Sequence, residues 1–226
     1  SAEVYRNFQH AKDFGLSAEG VKFDSEAVVQ RSRRVAAKLS GGVAMLMKKN
    51  KITVIEGEAR LEKGASAPKV IVKKDGKHSA YEASHVLLAT GARAREIPAA
   101  GLEPDGKLVW SYREAMTPPV WPESLLVFGS GAIGIEFASF YAAFGVQVTV
   151  VEMLDRILPV EDAEISAFAK KRFEKEGMKI LTSTEAKSLR ATADGVEAQV
   201  AVNGKPETVA ASHAIAPWQQ RLLIAK

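Results

Sequence analysis

The 226-residue chain contains no cysteine. Without thiols it forms no disulfide and builds no cysteine-ligated metal site. It lacks any apolar run of the roughly 20 residues needed to cross a bilayer, so no membrane partner is expected. The opening stretch SAEVYRNFQH lacks the apolar core of a secretory signal. Together these absences set a cytoplasmic expectation. A dominant charge is missing as well. The 31 basic residues against 27 acidic ones leave a net +4. That excess is too small and too dispersed to suggest nucleic acid. Basic clusters at 31–34 and 170–175 lie on helical patterns with acids nearby and read as solvated faces. His10, His78, His85 and His213 have no spacing that suits a metal or catalysis, and they read as surface or strand-end residues.

What is present is an ordinary globular composition, 46% hydrophobic and 26% charged, with length enough for one or two domains. Residues 1–12 read as the end of a helix stopped near Gly15. Asp24 is a candidate N-cap for a second helix, in which Val28, Val35, Leu39, Val43 and Leu46 recur at near-helical spacing. Gly41-Gly42 inside that pattern costs about 1 kcal/mol per glycine relative to alanine and predicts close packing or a bend. ITVIEGEARLE reads as a strand with a glycine irregularity. KVIVKK, Asp75-Gly76 and a return through His78 to Tyr81 predict a β-hairpin. HVLLATGA reads as a buried strand ending in a turn. Prolines and glycines crowd residues 92–122, which predicts a connection between domains with the boundary between 112 and 124.

The most specific signal follows that connection. An apolar run, Leu125 to Phe128, leads into Gly129, Gly131 and Gly134, a G-x-G-x-x-G. Ile135, Ala138 and Ala142 then give a helical stripe, Gly145 ends it, and a β-branched run from Val146 closes on Glu152. Strand, glycine turn, helix, strand and terminal acid occur in the order a dinucleotide-binding βαβ unit requires. Gly129 permits the turn, Gly131 lets the backbone approach a pyrophosphate, and Gly134 lets the helix pack close to the strands. The helix N-terminus offers N–H groups and a positive dipole end to phosphates. Glu152 stands where a carboxylate accepts from both ribose hydroxyls and repels a 2′-phosphate, so NAD is favoured over NADP. Further on, residues 162–177 predict a helix with Ile165, Phe168, Ala169 and Phe173 inside, and Met178 to Leu181 a strand. Val196 to Val202, Asn203-Gly204 and Glu207 to Val209 predict a hairpin with a type I′ turn. Strands alternating with helices argue for an α/β fold with a parallel sheet.

GSGAIGIEFASFYAAFGVQVTVVE followed by LDRILPVEDAEIS resembles the NAD domain of the dihydrolipoamide dehydrogenase family, a branch of the pyridine nucleotide–disulfide oxidoreductase flavoproteins. SAEVYRNFQHAKDFGL resembles the segment just after that family's redox-cysteine helix. LMKKNKITVIEGEARL and HVLLATGARAREIP resemble FAD-domain segments that lead to the NAD domain. The resemblance runs from about residue 1 to about residue 210. It implies a Rossmann-like NAD-binding domain over 117–226, preceded by an incomplete FAD-binding α/β domain over 1–116. It places Gly129, Ser130, Gly131, Ala132, Ile133, Gly134, Ile135 and Glu136 on the NAD pyrophosphate loop and first helical turn. Glu136 would stand near nicotinamide and flavin, with Ile133 at the nicotinamide pocket. Glu152 would bind ribose, and Ala186 would offer a backbone contact to the NAD adenine. Ala59 would pair through its backbone with the adenine of FAD, and Thr90, Gly91 and Ala92 would form a turn against FAD. Plainer readings stand beside these. Glu136 suits a first-turn acid favoured by the helix dipole, Ile133 suits plain packing, and Thr90 suits a strand-end turn.

The departures bear equally on function. The chain lacks the family's first FAD-phosphate βαβ unit, its C-x₄-C redox pair and its His–Glu acid–base pair, so no catalytic residue is assigned. From Ser212 the sequence SHAIAPWQQRLLIAK leaves the family pattern, which suggests a truncated or frameshifted gene or a fragment. The resemblance implies that the full-length protein passes electrons from dihydrolipoyl groups through FAD to NAD⁺. It also implies a homodimer and a 2-oxo acid dehydrogenase complex as partners. This chain by itself is expected to be inactive or feebly diaphorase-like, and less stable in its first half. The alternatives are a mercuric reductase or soluble transhydrogenase type of the same superfamily, or a non-catalytic NAD-binding module.

Overall fold

The computed structural model describes residues 1–94, 101–216 and 220–222, with 92–94 and 220–222 by backbone alone. Helix α1 (Ala2–Gln9) passes into a 3₁₀ turn (Ala11–Phe14) that ends on Gly15. Helix α2 (Ser25–Lys49) starts where Ala27 N–H donates to Asp24 Oδ1 at 3.0 Å, as the N-cap reading requires. Strands β1 (Glu58–Glu62), β2 (Lys69–Lys74) and β3 (Lys77–Glu82) form an antiparallel sheet. Asp75 and Gly76, both at positive φ, join Lys74 to its partner Lys77. β4 (Ala92–Ala94) pairs with a late strand, and β5 (Val109–Trp110) and α3 (Tyr112–Met116) follow. The expected unit comes next, as β6 (Ser124–Phe128), α4 (Ala132–Ala143) and β7 (Gln147–Val151). Then come α5 (Ala163–Lys175), β8 (Lys179–Leu181), β9 (Thr184–Thr192), β10 (Gly195–Val202), β11 (Lys205–Ala211), β12 (His213–Ile215) and β13 (Gln220–Leu222), the partner of β4.

The described residues divide into two compact units: residues 1–29 with those described within 94–221, and residues 30–93 with Leu222. This partition by packing differs from the division at 116/117 expected from the resemblance. In the larger unit a five-stranded parallel sheet runs β5-β12-β6-β7-β8. It therefore draws Val109 and Trp110, from within the proline-rich stretch, into the same sheet as β6. Leu125 and Val127 face one side, with Ile135, Ala138 and Tyr141 of α4. Leu126 and Phe128 face the other, with Val196, Ala198 and Val200 of the β9-β10-β11 meander. Both faces are covered, which is why β6 is apolar at every core position rather than alternating. α1 packs on α4 through Tyr5, whose ring stacks on Phe144 at 5.2 Å, and Arg6 reaches Glu176 at 3.4 Å.

Several expectations fail here for identifiable reasons. Residues 212–216, where the sequence was expected to leave the family pattern, take part in the parallel sheet. β12 lies between β5 and β6, and Ser212 clasps Ser124 through N–H to Oγ at 2.8 Å and Oγ–H to the Ser124 carbonyl at 2.6 Å. His213 opens that strand and is buried, with its ring 4.5 Å from Trp110, so it is a strand-end residue but not a surface one. On α5 the inward face carries Ser166, Ala169 and Phe173, while Ile165 and Phe168 are exposed. Ser166 Oγ–H donates to the Leu158 carbonyl at 3.1 Å and turns that side of the helix inward. The long β9 has no counterpart among the expectations. Only Thr184 and Leu189 of its nine residues are buried, and a bulge at Gln199/Val200 breaks the alternation.

The smaller unit departs further. HVLLAT is not a strand; residues 85–91 lie outside any strand, and Leu87 is 92% exposed. ITVIEGEARLE forms strand only from Glu58, after Gly57 at φ +150. Gly41 and Gly42 lie within the continuous α2 with open space beside them, so they do not mark close packing. Val35, Leu39, Val43 and Leu46 are exposed, although their spacing is helical as read.

Candidate functional site

The glycine loop lies at the C-terminal ends of β6 and β7. Gly129 takes φ +91 and donates its N–H to the Val151 carbonyl at 2.8 Å, so the turn leaves β6 while still tied to β7. A side chain at this φ would be strained. Gly131 is the N-cap of α4, has no side chain to cap it, and is exposed, with nothing within 4 Å of where a Cβ would stand. At Gly134 a Cβ would collide with the Gly129 carbonyl oxygen. The helix therefore lies against the strand only because residue 134 is glycine. No acid occupies the first turn of α4 and no side chain caps it. An uncapped helix N-terminus facing open space fits an anionic phosphate group.

Glu152 closes β7 beside this loop. It is 8% exposed, and its carboxylate is already engaged. Ser130 N–H donates to Oε2 at 2.8 Å, the Ser130 hydroxyl donates to the same oxygen at 2.7 Å, and Leu154 N–H donates to Oε1 at 2.8 Å. Its backbone is held as well. Glu152 N–H donates to the Leu181 carbonyl at 2.8 Å, and Thr184 N–H donates to the Glu152 carbonyl at 2.9 Å. Ser130 is fully buried, and its carbonyl accepts from Leu158 N–H at 3.0 Å. Buried carboxylates need such donors, since an unpaired charge out of water is costly.

The structure thus gathers Gly129, Ser130, Gly131, Ala132, Ile133, Gly134, Ile135, Glu136 and Glu152 around one loop and helix end. Their surroundings differ. Gly131, Ala132 and Glu136 are exposed and Ile133 is half-buried. Ile135 points into the core, and its N–H closes the helix onto the Gly131 carbonyl at 3.0 Å. Glu136 is the fifth residue of α4, so the first-turn-acid reading does not hold. Ala186 stands on β9 opposite Val200, two residues beyond the Thr184 that bonds Glu152. Ala59 lies exposed on β1, opposite Val72. Thr90 and Gly91 are exposed outside regular structure, and Ala92 begins β4. Sequence reading missed the grip on Glu152: Ser130 was assigned only to the pyrophosphate loop, and Leu154 acts through a backbone N–H that no residue type announces.

Deeper in the fold, the Tyr141 hydroxyl anchors α4 by donating to the Ala115 carbonyl at 2.7 Å, and burial pushes its ionisation up. Among the described residues no cluster of three His, Cys, Asp or Glu side chains could hold a metal, and no helix is long and apolar enough to cross a membrane.

Comparison with known proteins accords with this geometry. Residues 3–216 match the family model described as "Pyridine nucleotide-disulphide oxidoreductase". The matched stretch takes in β12, so the family pattern extends past residue 210 through Ile215. The chain is 50% identical to a protein named dihydrolipoyl dehydrogenase from Rhizobium etli, over 95% of this chain and 47% of that protein. It is 44% identical to one of the same name from Zymomonas mobilis, over 95% and 46%. The chain thus spans about half the length of the curated relatives it matches. The crystal structure of LpdA from Mycobacterium tuberculosis superposes with a TM-score of 0.85 at 29% identity, over 97% of this chain and 47% of that one.

Proposed function

The chain belongs to the pyridine nucleotide-disulphide oxidoreductase family, and from that premise we propose that it carries the NAD-binding part, and some of the FAD-binding part, of a dihydrolipoyl dehydrogenase. The family binds FAD and NAD(P). The observation that carries the narrower reading is the buried carboxylate of Glu152 beside an open, uncapped glycine loop. In this reading the loop from Gly129 to Gly134 and the N-terminus of α4 receive the pyrophosphate. Glu152 receives the ribose, and its negative charge disfavours a 2′-phosphate. Ile133 and Glu136 line the approach of the nicotinamide, and Ala186 meets the adenine through its backbone. Ala59, Thr90, Gly91 and Ala92 supply part of an FAD site within a partial FAD-binding region, 1–116, ahead of an NAD-binding region, 117–226.

A bound flavin and nicotinamide supply the hydride chemistry. The 226 residues contain no thiol, so they cannot themselves exchange a disulfide. Dihydrolipoyl oxidation, a homodimer and a 2-oxo acid dehydrogenase complex belong to this proposal for the longer protein. The absence of cysteine favours, as a second reading, an NAD-binding module without dithiol turnover.

Calorimetric titration of the chain with NADH and NADPH tests the nucleotide assignment. NADH is expected to bind more tightly, and Glu152→Ala to narrow the gap mainly by losing NADH affinity. Equal affinities in the unaltered chain would remove the argument. FAD is expected to bind below one equivalent, and a purified chain carrying stoichiometric flavin absorbance would overturn that part.

A further inference from the structure

We propose that Ser130 is a positioning residue for nucleotide choice. It pins one oxygen of Glu152, so that the carboxylate presents a single open acceptor position, on its other oxygen, to the ribose. The proposal rests on the NAD reading above and deepens it.

An ionised carboxylate has about four acceptor positions. In Glu152, Oε2 takes two donors, the N–H and the hydroxyl of Ser130, at 2.8 and 2.7 Å. Oε1 takes one, the Leu154 N–H at 2.8 Å. Three positions are filled, and the one left is on Oε1. The geometry therefore offers one ribose hydroxyl a place, rather than both. A second could enter only by displacing one of the three donors already bound, two of which come from the fully buried Ser130. Ser130 cannot meet the nucleotide through its own side chain, because that side chain is buried and its hydroxyl is committed to Oε2. Its effect on the ligand passes through Glu152. The two Ser130 donors grip the same oxygen from the loop side, and the Leu154 donor holds the other from the strand-end side. The charge is thereby fixed in place before any ligand arrives, so a hydroxyl is rewarded and a phosphate at that point is repelled without reorganisation.

The test uses the full chain as wild type, Ser130→Ala, Glu152→Ala and the double variant, titrated with NADH and NADPH by calorimetry. Ser130→Ala removes only the hydroxyl donor, and the acceptor position it vacates faces the fully buried residue 130 rather than the ribose. It is expected to weaken NADH by about fivefold, while NADPH stays within about twofold. In the Glu152→Ala background it is expected to add no further loss. Three results would overturn the proposal: unchanged NADH affinity in Ser130→Ala, an equal loss for NADH and NADPH, or losses that multiply in the double variant.

Amide exchange gives a readout that needs no nucleotide. In Ser130→Ala the Leu154 amide is expected to exchange roughly tenfold faster, with the Leu126 amide unchanged as evidence of an intact fold. An unaltered Leu154 amide would overturn the proposal. A wild-type chain that binds neither nucleotide would instead sink the NAD reading, and the exchange result would still decide whether Ser130 holds Glu152.

Discussion

Leu125, Leu126 and Val127 of β6 are wholly buried, whereas Leu87 and Leu88, in an apolar run of similar length, stand 92% and 56% exposed. The two runs look alike in sequence. What separates them is company. β6 has β12 and β7 as hydrogen-bonded neighbours, with α4 on one face and the β9-β10-β11 meander on the other. The segment 85–91 belongs to no strand, and no buried side chain stands in it. The same contrast holds between whole regions. The parallel-sheet unit holds two buried clusters, while among the described side chains of residues 30–91 Val72 is the one buried hydrophobic. Apolar residues therefore become a core only where other elements reach both of their faces.

This contrast can be broken or sharpened by experiment. The largest effect should appear in amide exchange. Residues 125–151 are expected to be protected at least about 100-fold more than residues 52–57 and 85–91. Comparable protection in the two would break the comparison at its root. Next, Leu126→Ala is expected to cost about 2–5 kcal/mol in urea unfolding. Leu39→Ala, at an exposed position of α2, should change stability by less than about 0.5 kcal/mol. Similar costs for the two leucines would mean that α2 is buried in solution.

A smaller loss should follow Tyr141→Phe. It leaves the Ala115 carbonyl without its hydroxyl partner, at a cost of about 1–3 kcal/mol in the same assay. A neutral result would show that water reaches that carbonyl.

The smallest effect concerns pH. Burial lowers the ionisation of His213, and the Asp105 charge only partly offsets it. The unfolded histidine takes up a proton near pH 6.5, before the folded one does. Stability is therefore complete above that value and falls as pH drops toward the lower folded value. His213→Gln should flatten this part of the pH–stability curve. An unchanged slope would assign it to other groups.

The βαβ unit was legible from sequence because each signal was local. Gly129 and Gly134 each answer a backbone requirement, Gly131 leaves the helix end open, and Glu152 sits at a fixed distance along the chain. The two hairpins were legible for the same reason, since Asp75-Gly76 and Asn203-Gly204 adopt the positive φ their turns need. What escaped was set by distant partners. The burial of His213 depends on Trp110, and the inward face of α5 depends on a bond from Ser166 to Leu158. β9 escaped because its outward residues, such as Glu185, Lys187 and Arg190, are charged and its period is broken by a bulge. At the site, the residue types were legible but the grip on Glu152 was not, since two of its three donors are main-chain N–H groups.

The strand order β5-β12-β6 has a consequence for synthesis. The ribosome delivers β5 and β6 early, yet the strand that belongs between them comes some 85 residues after β6 and spans only His213–Ile215. Until it emerges, the nascent chain carries two unpaired strand edges, an invitation to mispairing with neighbouring polypeptides. Closure of the sheet is thus a late event with a long loop to shut. The Ser124–Ser212 clasp, which joins residues 88 apart, is the latch that completes it.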